Sequence, residues 1–223
     1  MNSLRNRVLG LLAVGLLTAS AAHAAVTFLP ISSITSSTAA TDFWPAGNLI
    51  QGPGVGFDAN APFSRSDPIG TGAEDWVTAQ NGSDYFAGGQ AAPVLTIDLG
   101  ADQLLTEISI WGYLEWTANG ASAFSLRFAT EADGLAGFGT SIVYNPGITG
   151  LLNESYLRQS FALTPVTGRY VEMTITDNFY GGLTPGGDRV GLGEIAFQQV
   201  PEPATIGLLG LGFAGLGFPR RKQ

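Results

Sequence analysis

Apolar and polar residues alternate in short runs through the middle of the chain. In residues 123–130, Phe124, Leu126 and Phe128 alternate with polar residues such as Arg127. A period of two places successive side chains on opposite faces of a β-strand, so this spacing predicts a strand with one buried face. The same alternation is found in four further segments, at residues 94–99, 107–111, 170–176 and 193–197.

Turn-forming residues separate these runs. Residues 133–134 read Asp-Gly, residues 145–147 read Asn-Pro-Gly, and glycine is frequent in residues 181–187. Residues 51–90 show little periodicity and are expected to form long loops with at most short strands. Short alternating strands with this punctuation predict an all-β fold, an antiparallel β-sandwich.

The N-terminus has the three parts of a secretory signal peptide. Basic residues precede an apolar run at residues 8–18, and Ala22, His23 and Ala24 form an A-x-A cleavage site. The run is shorter than the roughly 20 apolar residues that a helix needs to cross a bilayer. We therefore expect residues 1–24 to be a signal-peptide helix that is removed, so that the mature protein begins at Ala25.

The C-terminus repeats the apolar pattern in a different order. A breaker comes first, then an apolar and glycine-rich run at residues 204–218, then a basic end. Positive charge beside an apolar run is retained on the cytoplasmic side, so this tail can arrest export with the domain outside. The breaker is Pro201, Glu202 and Pro203, and the basic membrane stop is Arg220, Arg221 and Lys222.

This tail resembles the PEP-CTERM sorting signal, which is read by the exosortase membrane transpeptidase. The resemblance implies a Gram-negative producer, cleavage near the Pro-Glu-Pro element, and delivery to the cell surface or an exopolysaccharide matrix. It divides the chain into a signal peptide at residues 1–24, a β-sandwich domain at 25–199, and a tail with a short hydrophobic sorting helix at 200–223.

The charge and composition of the mature domain restrict its chemistry. Residues 25–200 contain seventeen acidic residues, five arginines and no lysine, a net charge of −12. Such a surface disfavours nucleic acid and anionic lipid, and leaves neutral ligands and cations as partners. The chain has no cysteine, and its one histidine is His23 in the signal peptide. Catalysis by a Ser-His-Asp triad or a Cys-His pair, and a histidine-ligated metal, are therefore excluded from the mature protein.

Several segments of residues 28–198 recur in one known domain family in the same order and spacing. They are Ile-Thr-Ser-Ser at 34–37, Pro-Ala-Gly-Asn-Leu-Ile-Gln-Gly at 45–52, Trp76, Val-Leu-Thr-Ile-Asp-Leu-Gly at 94–100, Arg-Tyr-Val at 169–171 and Gly-Leu-Gly-Glu-Ile-Ala-Phe at 191–197. Together they resemble the discoidin domain, also called coagulation factor five/eight type C. The resemblance implies a galactose-binding-like jelly roll, with an unrelated β-sandwich as the alternative.

The family resemblance implies one structural calcium ion where the loop at residues 48–53 meets the last strand. Calcium takes six to eight oxygen ligands, which backbone carbonyls, amides and carboxylates can supply. The matching positions are Asn48, Gln51, Pro53, Gly193 and Glu194. Gln51 stands where the family usually has aspartate, which weakens the site. The alternative is that Asn48 and Gln51 satisfy a turn and that Glu194 caps loop amides.

The family resemblance also implies a second site, a ligand site at the loop end of the sandwich. Aromatic faces stack on sugar rings while amides and carboxylates bind hydroxyl groups, so tryptophan beside Asp and Asn suits a neutral glycan. The candidates are Phe43, Trp44, Trp116, Asn119, Asp177, Asn178, Tyr180 and Arg189. The alternative for the aromatic residues is the core, to which Trp76 and Trp111 are assigned. Arg189 has the alternative of pairing with Asp188 to close a glycine turn.

These observations favour a non-catalytic surface or matrix protein that binds carbohydrate, with exopolysaccharide and a sorting protease as partners. One alternative is a structural surface protein with no specific ligand. Another is a glycoside hydrolase, because two carboxylates suffice for that reaction. No pair of carboxylates in this acidic sequence is distinguished from the others, so no catalytic residue is predicted.

Overall fold

The computed structural model describes residues 28–38, 44–50, 75–113, 117–140, 142–144, 148, 158–181 and 186–199. The predicted signal peptide and sorting tail lie outside these residues, as do Phe43, Gln51, Pro53 and Trp116. Within the described part of the chain, no helix has the length and apolar character needed to cross a membrane.

Eight strands and two short 3-10 helices make up the described domain. The 3-10 helices are Ala46–Ile50 and Thr117–Asn119. The strands are β1 (Phe28–Leu29), β2 (Ser33–Ser36), β3 (Trp76–Val77), β4 (Val94–Gly112), β5 (Ala121–Ala129), β6 (Ile142–Tyr144), β7 (Gln159–Asn178) and β8 (Gly191–Gln198). Each named pair of strands is antiparallel. The predicted all-β antiparallel fold is confirmed.

The long strands β4 and β7 connect the two halves of the fold. The strand order is β1-β8-β4-β7-β5-β6, with β2 added to β4 and β3 added to β8. The first half of β4 pairs with β2, and its second half pairs with β8. The register of β4 against β7 shifts between Asp98 and Gln103 and again between Leu105 and Glu107. Such irregularities bend strands, so one hydrogen-bonded sheet curves around a common core.

Gly100 lies at the first of these bends. Its φ of +82° is in the left-handed region, and a Cβ there would overlap the Ser32 hydroxyl. The carboxylate of Asp98 accepts a hydrogen bond from the Gly100 amide at 2.7 Å. The positive φ favours glycine at this position, whereas the Ser32 hydroxyl could rotate away from a Cβ. The two segments predicted as separate strands, 94–99 and 107–111, are thereby joined in one strand.

The core contains the apolar faces of β4, β5, β7 and β8. Phe124 and Leu126 are fully buried, as their alternation predicted. Trp76 and Trp111 are also fully buried, which confirms their assignment to the core. In β8 all eight residues are buried, whereas its alternation predicted a strand with one exposed face. The reason is its central place, because β8 pairs with β1, β3 and β4. One of its two polar side chains, Gln198, donates to Glu107 at 2.6 Å.

Ion pairs stabilise the polar surface of the sheet. Arg169 donates to both carboxylate oxygens of Asp98, at 2.9 and 3.0 Å, and to Glu131 at 3.1 Å. The hydrogen bond from Arg169 lowers the pKa of Asp98 below its ordinary value. A second pair joins Arg127 of β5 to Glu172 of β7, residues that are directly opposite each other in the two strands.

Candidate functional site

A cleft of about 370 Å³ opens where several strands begin or end at one edge of the domain. Val77 ends β3 and Tyr113 follows β4, whereas Asn119 precedes β5 and Arg189 precedes β8. Antiparallel pairing brings the ends of β3 and β4 beside the start of β8. A parallel bridge between Gly120 and Gly191 brings the segment of Asn119 to the same place. The cleft is lined by Trp44, Val77, Gln80, Tyr113, Asn119, Asp188 and Arg189.

Two buried asparagines hold the loop that carries Asp188 and Arg189. The Oδ1 atom of Asn119 accepts a hydrogen bond from the Gly187 amide at 2.5 Å. The Nδ2 atom of Asn178 donates to the carbonyl of Gly187 at 3.2 Å and to that of Arg189 at 2.9 Å. Asn119 is 3% exposed and Asn178 is 7% exposed. Their amides therefore fix the backbone from which the two charged side chains project.

Gly187 permits close packing behind this loop. Its φ is +95°, and a Cβ at this position would overlap the ring of Tyr180. The amide of Tyr180 in turn donates to Oδ1 of Asn178 at 3.1 Å. The ring of Tyr180 thus packs against glycine backbone and supports the loop from outside the cleft.

Hydrogen bonds of the backbone and of side chains fix the segment that follows β3 to the same loop. Thr78 donates its amide to the Val190 carbonyl at 2.9 Å, and the Val190 amide donates to the Thr78 hydroxyl at 3.0 Å. The Asn81 amide donates to the Asp188 carbonyl at 2.7 Å. Arg189 is anchored as well, because its Nη1 donates to the Thr78 carbonyl at 3.4 Å. The segment after β3 and the loop that carries Asp188 and Arg189, which form two sides of the cleft, are therefore held together by hydrogen bonds within the protein.

The side chains at the cleft combine one large aromatic surface with hydrogen-bonding groups. Trp44 is partly exposed, and Gln80 is exposed beside it. Asp188 and Arg189 are both partly exposed, so one acceptor and one multiple donor face solvent in the same cleft. A ligand with an apolar face and several hydroxyl groups is matched by this set.

The predicted ligand residues fall into three groups in the structure. Trp44, Asn119 and Arg189 line the cleft. Asn178 and Tyr180 support the loop behind it, and a carboxylate oxygen of Asp177 accepts the Asn178 amide at 2.9 Å. Phe43 and Trp116 lie outside the described residues.

Four cleft residues were not among the predicted ligands. Val77 and Gln80 lie in a segment that was expected to be loop, and Tyr113 follows a strand that was assigned to the core. Asp188 was interpreted as a partner of Arg189 that closes a turn. The glycine pair before Asp188 was the one sequence signal for this part of the cleft, because positive φ angles there set the direction of the loop.

The predicted calcium position is described only in part. The 3-10 helix that contains Asn48 packs against β3 and β8. Asn48 donates its Nδ2 to the Asp75 carbonyl at 2.9 Å, and both Asp75 and Glu194 are buried, at 3% and 2% exposure. Among the described residues no three His, Cys, Asp or Glu side chains form a group that could hold a metal ion. The donors seen here fit calcium only if backbone carbonyls complete the set, and Gln51 and Pro53 lie outside the described residues.

The comparison with known sequences concerns the tail. The family model described as the PEP-CTERM protein-sorting motif matches residues 199–222, which confirms the predicted sorting signal. No curated protein matches the chain significantly.

The comparison with solved structures concerns the β-domain. The chain is similar to the family 32 carbohydrate-binding module (CBM) of NanJ from Clostridium perfringens, solved in complex with galactose, with a TM-score of 0.48, 13% identity, and coverage of 78% of this chain and 99% of that chain. It is similar to a fucose-binding module from Streptococcus pneumoniae, with a TM-score of 0.48, 11% identity, and coverage of 78% and 95%. It is also similar to chitosan-binding module 2 of a chitosanase/glucanase from Paenibacillus sp. IK-5, solved in complex with chitotriose, with a TM-score of 0.47, 12% identity, and coverage of 77% and 98%.

Proposed function

We propose that this protein is exported, sorted by an exosortase, and binds a neutral glycan of the exopolysaccharide matrix without catalysing its cleavage. The glycan lies in the cleft at the loop edge of the β-sandwich. Export begins with removal of residues 1–24, and sorting ends with cleavage near Pro201–Pro203 at the surface of a Gram-negative cell. The PEP-CTERM match supports the sorting step.

The observation that carries the binding proposal is the composition of the cleft. Its 370 Å³ lies within the range of about 300–1,000 Å³ that is typical of ligand sites. Trp44 supplies the aromatic surface, and Gln80, Asn119, Asp188 and Arg189 supply amide, carboxylate and guanidinium groups. Sugars present an apolar ring face and a rim of hydroxyls, which this combination satisfies.

The charge of the domain favours a neutral rather than an acidic glycan. The net charge of −12 over residues 25–200 would repel a polyanionic chain at low ionic strength. Arg189 is the one cationic residue among the described residues that line the cleft, and Asp188 lies beside it.

The absence of catalysis is proposed from the same residues. Glycoside hydrolysis ordinarily uses two carboxylic acids that flank the scissile bond. Asp188 is the one carboxylate among the described residues lining the cleft, and the mature chain has no histidine that could serve as a base. The carboxylate that would complete a hydrolytic pair is therefore not among them.

A structural calcium ion remains part of the proposal. Asn48 and Glu194, with backbone oxygen atoms such as the Gly193 carbonyl, would hold it between the 3-10 helix Ala46–Ile50 and β8. The ion would fix the segment next to Trp44 and so support the cleft from behind. Its binding would raise the thermal stability of the chain as free calcium is increased.

A glycan array probed with the full-length chain in mild detergent tests the binding proposal. The array carries neutral mono-, oligo- and polysaccharides, and each is probed with calcium and again with EDTA. Trp44→Ala is expected to weaken binding at least tenfold, about 1.4 kcal/mol, because it removes the stacking surface. Phe138→Ala is the matched control, because it truncates an aromatic ring that contacts Arg127 away from the cleft.

The outcomes of this array separate the proposal from its alternatives. Retention of no glycan by the unmodified chain in either solution would refute it in favour of a structural surface protein. Equal losses in the two aromatic variants would refute the position of the site. Release of reducing sugar from any retained glycan would refute the absence of catalysis, and identical melting temperatures in calcium and EDTA would refute the calcium site.

A further inference from the structure

A second cleft, of about 420 Å³, lies next to the first. It is formed by the residues after β2, by the segment after β3 and by the residues before β4. Its polar lining includes Ser37, Thr38, Gln80, Asn81 and Gln90. None of the predicted ligand residues belongs to this cleft.

Gln80 lines both clefts, so they are neighbours that share a wall. The shared wall is rigid because the segment that contains Gln80 is anchored on either side. Before Gln80, the Thr78 amide donates to the Val190 carbonyl at 2.9 Å. After it, the Asn81 amide donates to the Asp188 carbonyl at 2.7 Å, and the Tyr85 amide donates to the Gly187 carbonyl at 2.8 Å. The loop that supplies Asp188 to the first cleft thus also supports the floor of the second.

The second cleft is uncharged and rich in amide groups. Gln90 donates its Nε2 to Oδ1 of Asn81 at 3.4 Å, and Asn81 donates its Nδ2 to the Tyr85 carbonyl at 3.0 Å. Ser37 adds a hydroxyl that accepts the Val94 amide at 2.9 Å. No aspartate, glutamate, lysine or arginine is among its described lining residues. Amides and hydroxyls without a fixed charge suit the hydroxyl rim of an uncharged sugar.

Tyr85 contributes its buried ring to the second cleft rather than an ionisable group. It is 3% exposed, and burial raises the pKa of its hydroxyl, an effect that a hydrogen bond with the Thr78 side chain opposes. The hydroxyl therefore stays neutral at physiological pH. The packed ring and the amide network form a preformed surface, which lowers the entropic cost of binding.

From this arrangement we infer that the two clefts form one extended groove that binds an internal stretch of a linear neutral polysaccharide. One sugar occupies the cleft at Trp44, and the following part of the chain crosses Gln80 into the cleft at Asn81 and Gln90. This inference rests on the proposed function, because it assigns the class of glycan that the first cleft binds. It differs from recognition of a single terminal sugar, which would need the first cleft alone.

The extended groove predicts that affinity increases with the length of the glycan. A monosaccharide fills one cleft, whereas an oligosaccharide long enough to cross Gln80 makes contacts in both. We expect the full-length chain to bind the longest member of a fitting series at least tenfold more tightly than its monosaccharide. Defined neutral series of glucose, galactose and mannose oligosaccharides, each from one to six units, are the probes.

Ala91→Trp tests the second cleft directly. Ala91 is exposed and lines that cleft only, so an indole at this position fills it without entering the core or the first cleft. We expect this variant to keep the affinity for the monosaccharide and to lose the gain that comes with length. Ala136→Trp, at an exposed position in the turn after β5, is the matched control and is expected to keep both affinities. Gln90→Ala, a smaller change in the same cleft, is expected to reduce the gain in part.

The outcomes distinguish this inference from the proposed function. Equally tight binding of all lengths would overturn the extended groove and leave the first cleft as a glycan site. The same conclusion would follow if Ala91→Trp weakened monosaccharide and oligosaccharide binding equally while melting at the same temperature as Ala136→Trp. Failure of the unmodified chain to bind any member of the three series would overturn both. If Ala91→Trp melts at a lower temperature than the control, the Gln90→Ala variant is used to test the groove instead. A gain of affinity with glycan length that is as large in Gln90→Ala as in the unmodified chain would overturn the groove.

Discussion

Replacing Asn178 with alanine would remove three hydrogen bonds at a position that is 7% exposed. Its Nδ2 donates to two carbonyls, of Gly187 and Arg189, and its Oδ1 accepts the Tyr180 amide. A hydrogen bond contributes about 1 kcal/mol net, and a buried group left without a partner costs about 1–3 kcal/mol. We therefore expect N178A to lower the free energy of unfolding by about 2–4 kcal/mol, a large part of the 5–15 kcal/mol that is typical of a domain.

Urea denaturation of the full-length chain, followed by tryptophan fluorescence, measures this loss as a shift of the midpoint. Asp177→Ala is the control, because Asp177 is exposed and accepts a single backbone amide; its cost should not exceed about 0.5 kcal/mol. N178D should give no rescue, since a carboxylate cannot donate to the two carbonyls. A loss below about 1 kcal/mol in N178A, or equal losses in N178A and D177A, would show that the asparagine does not hold the loop.

Two further predictions concern the ion pair of the sheet and the glycine of the loop. Because Arg169 lowers the folded-state pKa of Asp98, the pair stabilises the fold above the unfolded pKa of about 4, and this contribution is lost as the pH falls through the lower folded pKa. R169M should therefore be less stable than the unmodified chain at pH 7, and the difference in their free energies of unfolding should shrink below about pH 4 when urea denaturation is measured at both pH values. A difference that does not change with pH would contradict the assignment. G187A should lower the melting temperature by much more than G82A does. Both glycines have positive φ, but open space surrounds Gly82, whereas a Cβ at Gly187 would meet the Tyr180 ring. Equal decreases of the melting temperature would show that the Tyr180 ring moves aside at no cost.

Alternation along the sequence located most of β5 and β8, the two ends of β4 and the second half of β7, but not the full extent of β4 and β7. The first half of β7 was missed because Pro165 and Gly168 interrupt its pattern, and tertiary pairing with β4 overrides that local signal. The predicted segments 94–99 and 107–111 leave residues 100–106 unassigned, but strand β4 continues through them. Whether a strand continues through such residues depends on its pairing with strands that are distant in the sequence. Local alternation of apolar and polar residues gives no information on that pairing.

The sequence predicted the types of residue that line the candidate site, but only some of the individual residues. Trp44, Asn119 and Arg189 were expected beside a ligand, and they line the cleft. Gln80 could not be found from the sequence, because contacts between Thr78 and Val190, 112 positions apart, bring its segment to the cleft. Asn178 carries an amide, which could bind a glycan hydroxyl, but this amide donates to the backbone carbonyls of Gly187 and Arg189. No local sequence pattern indicates these partners.

Strand β8 also determines which way the molecule would point when it is held by its tail. The cleft lies at the start of β8, next to Arg189, whereas the tail leaves the domain after Gln198, where β1 pairs with the end of the same strand. Eight extended residues separate these points by roughly 26 Å. A domain held through its C-terminus would therefore be held at the end of β8 that is opposite the cleft. Attachment at that end would leave the cleft open to a polymer, both before the tail is cleaved and after the new C-terminus is attached elsewhere.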